Sequence, residues 1–349
     1  MKRIFSLVLT LALIIVLAAC GNAKEDTKSE DKTAGKTDKA ETTEETVKIE
    51  SKYKMMGEKE DGSDAKDVNE TVEIPKNPKN IAVFDYGTLA TMQELGVDAE
   101  VKGLPKGEGN KSIPSFLEAF KDDKYANLGN LKEPNFEKLA ELQPELILIS
   151  GRQANQKVMD EMKKAAPEAK ILYVGTDDKN YIDSVKANTE NIGKVFDKEK
   201  EATALIEDLD KKIEEVKALT EKSTDKGLFI LANEGELSVF GKGGRFGFIH
   251  DVLGVKEADA NIQAKGHGQV INFEYINKTN PDIIYAMDRG VAVGGKSSAK
   301  QALTNEVIKD VNAVKNDKVV EIDPYLWYFS GGGAVTVKKQ IEEVEKAFK

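Results

Sequence analysis

NFEKLAELQPELILISGR at residues 135–152 and NFEYINKTNPDIIYAMDR at residues 272–289 are two copies of one segment. Aligned without a gap, they share the opening Asn-Phe-Glu, a proline, one Ile and the closing arginine. Asn135 and Asn272 are strong helix N-caps, and Glu137 and Glu274 fall in the first turn, where the helix dipole favours an anion. Pro144 and Pro281 forbid further helix. The apolar runs ELILIS and DIIYAM are of the kind that makes buried parallel strands. Arg152 and Arg289 then follow the carboxyl ends of those strands, which is where open α/β sheets bind ligands. The pattern predicts two related lobes facing a cleft, each contributing an arginine.

Arginine usage strengthens this reading. Lys plus Arg number 51, yet arginine occurs only at Arg3, Arg152, Arg245 and Arg289. Arg3 sits in a segment expected to be removed, so the mature chain keeps arginine at three places. A guanidinium is a planar, permanently charged fork of donors suited to chelating oxygens, whereas lysine is a hydrated point charge. Ordinary salt bridges are the competing account, and the repeat symmetry of two of the three arginines argues against it.

The chain of 349 residues is long enough for two lobes, and its net charge of −10 with well-mixed signs points away from nucleic acid. Lys2 and Arg3 precede an apolar run at residues 4–17 that is too short to span a bilayer comfortably. Leu17-Ala18-Ala19-Cys20 resembles the lipobox of bacterial lipoproteins, which implies removal of residues 1–19 and lipidation of Cys20. That cysteine is the only one, so no intrachain disulfide forms. Residues 20–46 are the lipidated cysteine and a polar, disordered tether. Residues 47–197 are predicted as the first lobe, 198–222 as a connecting helix and 223–349 as the second lobe. A strand over 47–56 and a continuous amphipathic helix over 182–219 are also expected. A helix is a stiff linker, so lobe movement should be limited.

In the first lobe, Phe84, Asp85 and Tyr86 end a strand on the same rim as Arg152, and Lys106 adds a charge to the cleft. In the second, GKGGRFG (241–247) presents Arg245, and KGHGQ (265–269) carries His267, one of two histidines. Trp327, the sole tryptophan, lies with Tyr328 in PYLWYFSGGG at a strand end, an expected exposed ledge for the ligand. Residues 290–297, GVAVGGKS, match the P-loop pattern, but an exported chain meets no nucleotide supply. There is no G-x-S-x-G elbow and no HExxH, so enzymatic readings are weak, an exported P-loop enzyme being the alternative from another class. Arginines converging on one cleft instead call for a multiply charged anion, and the aromatics beside them for a flat or ring-bearing one.

Further segments, EIPKNPKNIAVFDYG, LPKGEG, FKDDKYANLGNLKEPNFEKLA, SGRQANQ, GRFGFIHD, MDRG and LWYFSGGG, complete a pattern spanning the mature chain. It resembles the substrate-binding lipoproteins of bacterial iron–siderophore ABC transporters, especially Gram-positive binders of ferric catecholates of the petrobactin type. The resemblance implies an α/β fold of two β/α lobes with mainly parallel sheets joined by a long helix, the class III periplasmic-binding-protein arrangement. It implies a non-enzymatic, monomeric protein, lipid-anchored at the extracellular face of the cell membrane. Its cargo is a Fe(III)–siderophore whose own oxygens fill the iron shell, so no intrinsic cofactor or protein metal ligand is needed. Arg152, Arg245 and Arg289 match the family's basic triad, and Glu137 and Glu274 match the glutamates that dock on an ABC permease. Lys106, Tyr86, Trp327, Tyr328 and His267 are further expected ligand contacts. Haem or cobalamin capture, with His267 or a tyrosine as axial ligand, is the alternative within binding proteins.

Overall fold

The computed structural model describes residues 45–59, 63–233, 235–263, 266–292, 299, 303 and 305–349. Cys20, the signal segment, the tether up to residue 44 and most of the P-loop-like stretch lie outside them.

Strands β1 (Thr46–Met55) and β2 (Lys66–Pro75) pair antiparallel as a ribbon. Alternation along β1 sends Ile49 and Ser51 inward while Lys48, Glu50 and Lys52 face solvent, the period of a half-covered strand. The first lobe holds β3 (Ile81–Val83), β4 (Val101–Leu104), β5 (Ala126–Asn127), β6 (Leu146–Ile149) and β7 (Lys170–Tyr173). They form one wholly parallel sheet ordered β5-β4-β3-β6-β7. Helices cover both faces, so β3 and β6 are apolar and buried throughout rather than alternating.

The second lobe holds β8 (Lys226–Asn233), β9 (Glu236–Phe240), β10 (Lys256–Glu257), β11 (Gln269–Ile271), β12 (Ile283–Asp288) and β13 (Val319–Ile322). Its sheet is mixed. β8, β12 and β13 run parallel, β9 and β11 antiparallel, and β10 pairs with the start of β8. The mainly parallel expectation thus holds fully in the first lobe, while the β8–β9 hairpin makes the second mixed.

Both repeat copies fold alike. Asn135 accepts from the Lys138 amide to cap helix Phe136–Leu142, and Asn272 accepts from the Tyr275 amide to cap helix Phe273–Thr279. Each helix ends on a left-handed residue, Gln143 (φ 43°) or Asn280 (φ 45°), just before the proline. β6 and β12 follow at equivalent places, each an interior strand second from an edge of its sheet.

The continuous helix over 182–219 is corrected to two, Tyr181–Val195 and Glu199–Thr220, broken at Asp197 (φ 52°). The cause is distant in sequence. Asp197 is gripped by Lys76 (2.5 Å) and by the Asn77 amide (2.6 Å). Helix Glu199–Thr220 runs on towards the second lobe, and the terminal helix Ala334–Glu345 packs back along it through Lys338–Asp208 and Lys212–Glu345 ion pairs.

Backbone meets backbone where Gly87 faces the turn 331–333. A Cβ on Gly87 would lie 2.6 Å from the Gly332 nitrogen, and one on Gly333 would lie 2.2 Å from the Gly87 oxygen. No larger residue fits either side without displacement. Among the described residues no helix is long and apolar enough to cross a membrane.

Candidate functional site

Helix Pro324–Phe329 is the centre of the cleft. Pro324 starts it, and Asp323 caps it by accepting from the Tyr325 and Leu326 amides. Pre-set φ and a carboxylate at the N-terminus favour helix here, although the segment follows a strand. Successive side chains diverge. Trp327 turns inward at 3% exposure, donates its indole N–H to Glu343 (2.8 Å) and packs among Phe229, Phe246 and Phe248. Tyr328 turns out into the cleft.

All three arginines of the described residues reach Tyr328. Arg152, from the turn after β6, donates to its carbonyl oxygen at 2.5 Å, and Arg245 donates to the same oxygen at 3.1 Å. Arg289, at the end of β12, donates Nε–H to the Tyr328 hydroxyl (3.0 Å) and Nη1–H to Asn233 (2.7 Å). The guanidinium carbons lie 5.2, 4.3 and 5.4 Å from the Tyr328 ring centroid, within cation–π range. Phe329 and Phe246 back Arg152 and Arg245 in the same way.

Among the described residues no arginine forms an ion pair; lysines supply the cation in every one. Like charges about 6 Å apart repel by roughly 3 kcal/mol at an effective dielectric of about 20. Hydrogen bonds to a carbonyl and a hydroxyl, with ring faces beside them, hold the cations without neutralising them. Burial, with repulsion from Arg245, brings the Arg152 guanidinium down to about 10. Burial pushes the Tyr328 hydroxyl up, but the Arg289 hydrogen bond and the charges of Arg245, Arg289 and Arg152 outweigh it, leaving it at about 8. Burial also raises the Asp85 carboxyl, against stabilisation by the Thr88 amide and Arg152.

The Tyr328–Phe329 edge divides the cleft into two compartments that also share Lys132. One, of about 360 Å³, is lined by Arg152, Arg245, His267, Tyr173, Asp85 and Asp178 among others. The other, of about 530 Å³, is lined by Arg289, Lys111 and Tyr325 among others. His267 is exposed at the mouth of the first compartment, and Trp327 contributes to its wall from the core rather than from an exposed ledge.

Tyr86 and Lys106 are placed elsewhere. Tyr86 is fully buried, with its hydroxyl on the Pro105 carbonyl (2.8 Å). The helix starting at Tyr86 turns this ring beneath the rim instead of over it. Lys106, 2% exposed, spends its ammonium on the Asp122 and Tyr125 carbonyls (2.9 and 3.2 Å). Glu137 and Glu274 are exposed in equivalent first turns, and neither is in an ion pair among the described residues.

Lys132, Tyr173 and Asp178 are cleft residues that sequence reasoning passed over. Tyr173 ends β7, so the strand-end rule that found Arg152 could have found it too. Lys132 precedes only the first repeat copy, so no symmetry marks it. Among the described residues no cluster of three or more His, Cys, Asp or Glu side chains is placed to hold a metal ion.

Comparison with known proteins agrees with this architecture. The chain is 42% identical over 345 residues to the petrobactin-binding protein YclQ of Bacillus subtilis (strain 168), covering 99% of this chain and 98% of the relative. The crystal structure of YclQ matches with a TM-score of 0.75 at 44% identity, over 85% of this chain and 99% of that one. The ferric-anguibactin-binding protein FatB of Vibrio anguillarum (strain ATCC 68554 / 775) is 33% identical over 79% of this chain and 84% of its own. The profile of the periplasmic binding proteins matches residues 81–326, from the first strand of the parallel sheet to the helix that carries Tyr328, and the chain belongs to that family.

Proposed function

We propose that the protein captures a ferric catecholate siderophore outside the cell and delivers it to an ABC importer. The observation that carries this reading is the convergence on Tyr328 of three guanidinium groups, from both lobes, none of them in an ion pair among the described residues. A ferric tris-catecholate is a compact trianion with flat rings. Its charge answers the arginines, and its rings suit Tyr328 and Phe329. The siderophore's oxygens fill the iron shell, so the protein grips the outside of the complex and performs no chemistry. The names of the relatives, binders of petrobactin and ferric anguibactin, support a siderophore as cargo.

In this reading Cys20 carries lipid, residues 20–46 tether the fold to the outer face of the cell membrane, and residues 47–197 and 223–349 are lobes joined through 198–222. Glu137 and Glu274, one per lobe, dock on cationic residues of the permease. His267 and Lys132 add contacts at the cleft mouth. The test is titration with a preformed ferric catecholate, followed by quenching of Trp327, the sole tryptophan. Saturable quenching is expected, with iron-free hydroxamates and nucleotides inert. A Soret shift on mixing with haemin, together with no response to ferric catecholate, would instead favour haem held through His267.

A further inference from the structure

The β1–β2 ribbon, residues 46–75, lies outside the stretch matched by the family profile, residues 81–326. It nonetheless touches the site at two points. At the end of β1, the Met56 amide donates to the Ala154 carbonyl (2.8 Å), and the Gln156 amide donates back to the Met56 carbonyl (3.0 Å). This parallel bridge closes on Asn155, which caps the next helix and stands three residues after Arg152. Three residues before Met56, Tyr53 stacks on Tyr173, centroids 4.5 Å apart and planes at 11°. Tyr173 lines the compartment that holds Arg152 and Arg245.

We propose that the ribbon is a positioning element of the cleft, which pins the loop carrying Arg152 and backs the Tyr173 wall. The proposal rests on the cleft being the ligand site. Arg152 needs such support because, among the described residues, its one side-chain hydrogen bond runs across to the carbonyl of Tyr328, and its own loop is a short turn. With the loop held from behind by a backbone bridge, the guanidinium can be aimed without a carboxylate to aim it. A stacked aromatic pair likewise fixes the plane of Tyr173, which a lone ring at a strand end would not keep.

The test uses the full chain and four variants. Tyr53→Leu removes the stack, Tyr53→Phe keeps it, and Met56→Pro deletes the amide that Ala154 accepts. Ile49→Ala, a core change in the same ribbon, controls for loss of stability. In ligand-free protein, Tyr53→Leu should speed amide hydrogen exchange at residues 173–176 and Met56→Pro at 150–156. Each should weaken ferric catecholate binding roughly three- to tenfold. Tyr53→Phe should match wild type in both readouts.

Unchanged exchange in both Tyr53→Leu and Met56→Pro overturns the proposal. So does Ile49→Ala weakening binding as much as they do, because the ribbon would then act through stability alone. If wild type binds no ferric catecholate, the functional reading fails on its own, and the exchange measurements still decide the ribbon's role.

Discussion

Arg152, Arg245 and Arg289 share Tyr328 but not their surroundings, and their variants should separate accordingly. Truncating any one to Ala should cost on the order of 2–5 kcal/mol of ferric catecholate affinity, read by calorimetric titration. Lysine at position 245 should recover only part of it, because a point charge cannot fork between the Tyr328 carbonyl and a ligand oxygen. Tyr328 adds a pH dependence. Its hydroxyl lies at about 8 in the fold against 10.0 for a free tyrosine, so its ionised form is favoured by folding. The stabilisation this confers is complete above the free value and is lost as pH falls through about 8. Near neutrality Tyr328 is therefore protonated and the arginines stand unopposed. Above 8 a phenolate competes with the ligand for them, so affinity should fall as pH rises through that value. Tyr328→Phe should flatten the fall for the same preformed ligand, and equal slopes in the two proteins would refute the assignment. Lys106 and Tyr86 show where residue-level reading stops. Both sit in segments placed near the rim, but whether a side chain faces the cleft or a neighbouring carbonyl depends on one turn of backbone.

At the scale of elements, the repeat was legible because its signals are local: an N-cap, a proline stop and an apolar run recur at fixed spacing in both copies. Its two arginines came with it. The helix break at Asp197 was not legible, because the groups that hold it, Lys76 and Asn77, lie some 120 residues away. Apolar periodicity runs on through a kink of that kind. Helix Pro324–Phe329 was hidden for another reason: its aromatic residues suit strand as well as helix, and Asp323-Pro324 decides between them. The equivalent first turns give a prediction of their own. Glu137→Lys and Glu274→Lys should leave ligand affinity unchanged while impairing iron uptake in cells. Normal uptake in both would remove the docking role, since capping in each helix is already performed by Asn135 or Asn272.

Across the whole molecule, the contact between Gly87 and the turn 331–333 should limit how far the lobes can part. Glycine-to-glycine backbone contact leaves no side chain to slide, and helix Ala334–Glu345 lies along the connecting helix beside it. Small-angle scattering should show little change in radius of gyration on ligand binding; a large contraction would contradict it. Gly333→Ala should destabilise by about 1–3 kcal/mol in chemical denaturation, as overpacking does. Two-lobe organisation was readable from the duplicated segment, but this seam was not, because glycines in a row signal flexibility until something is found pressed against them. The scarcity of arginine has a practical result as well. Among the described residues, dicarbonyl reagents that condense with guanidines would find their targets only inside the cleft, leaving the many lysines untouched. Protection by cargo would then footprint the grip directly, with no engineered label.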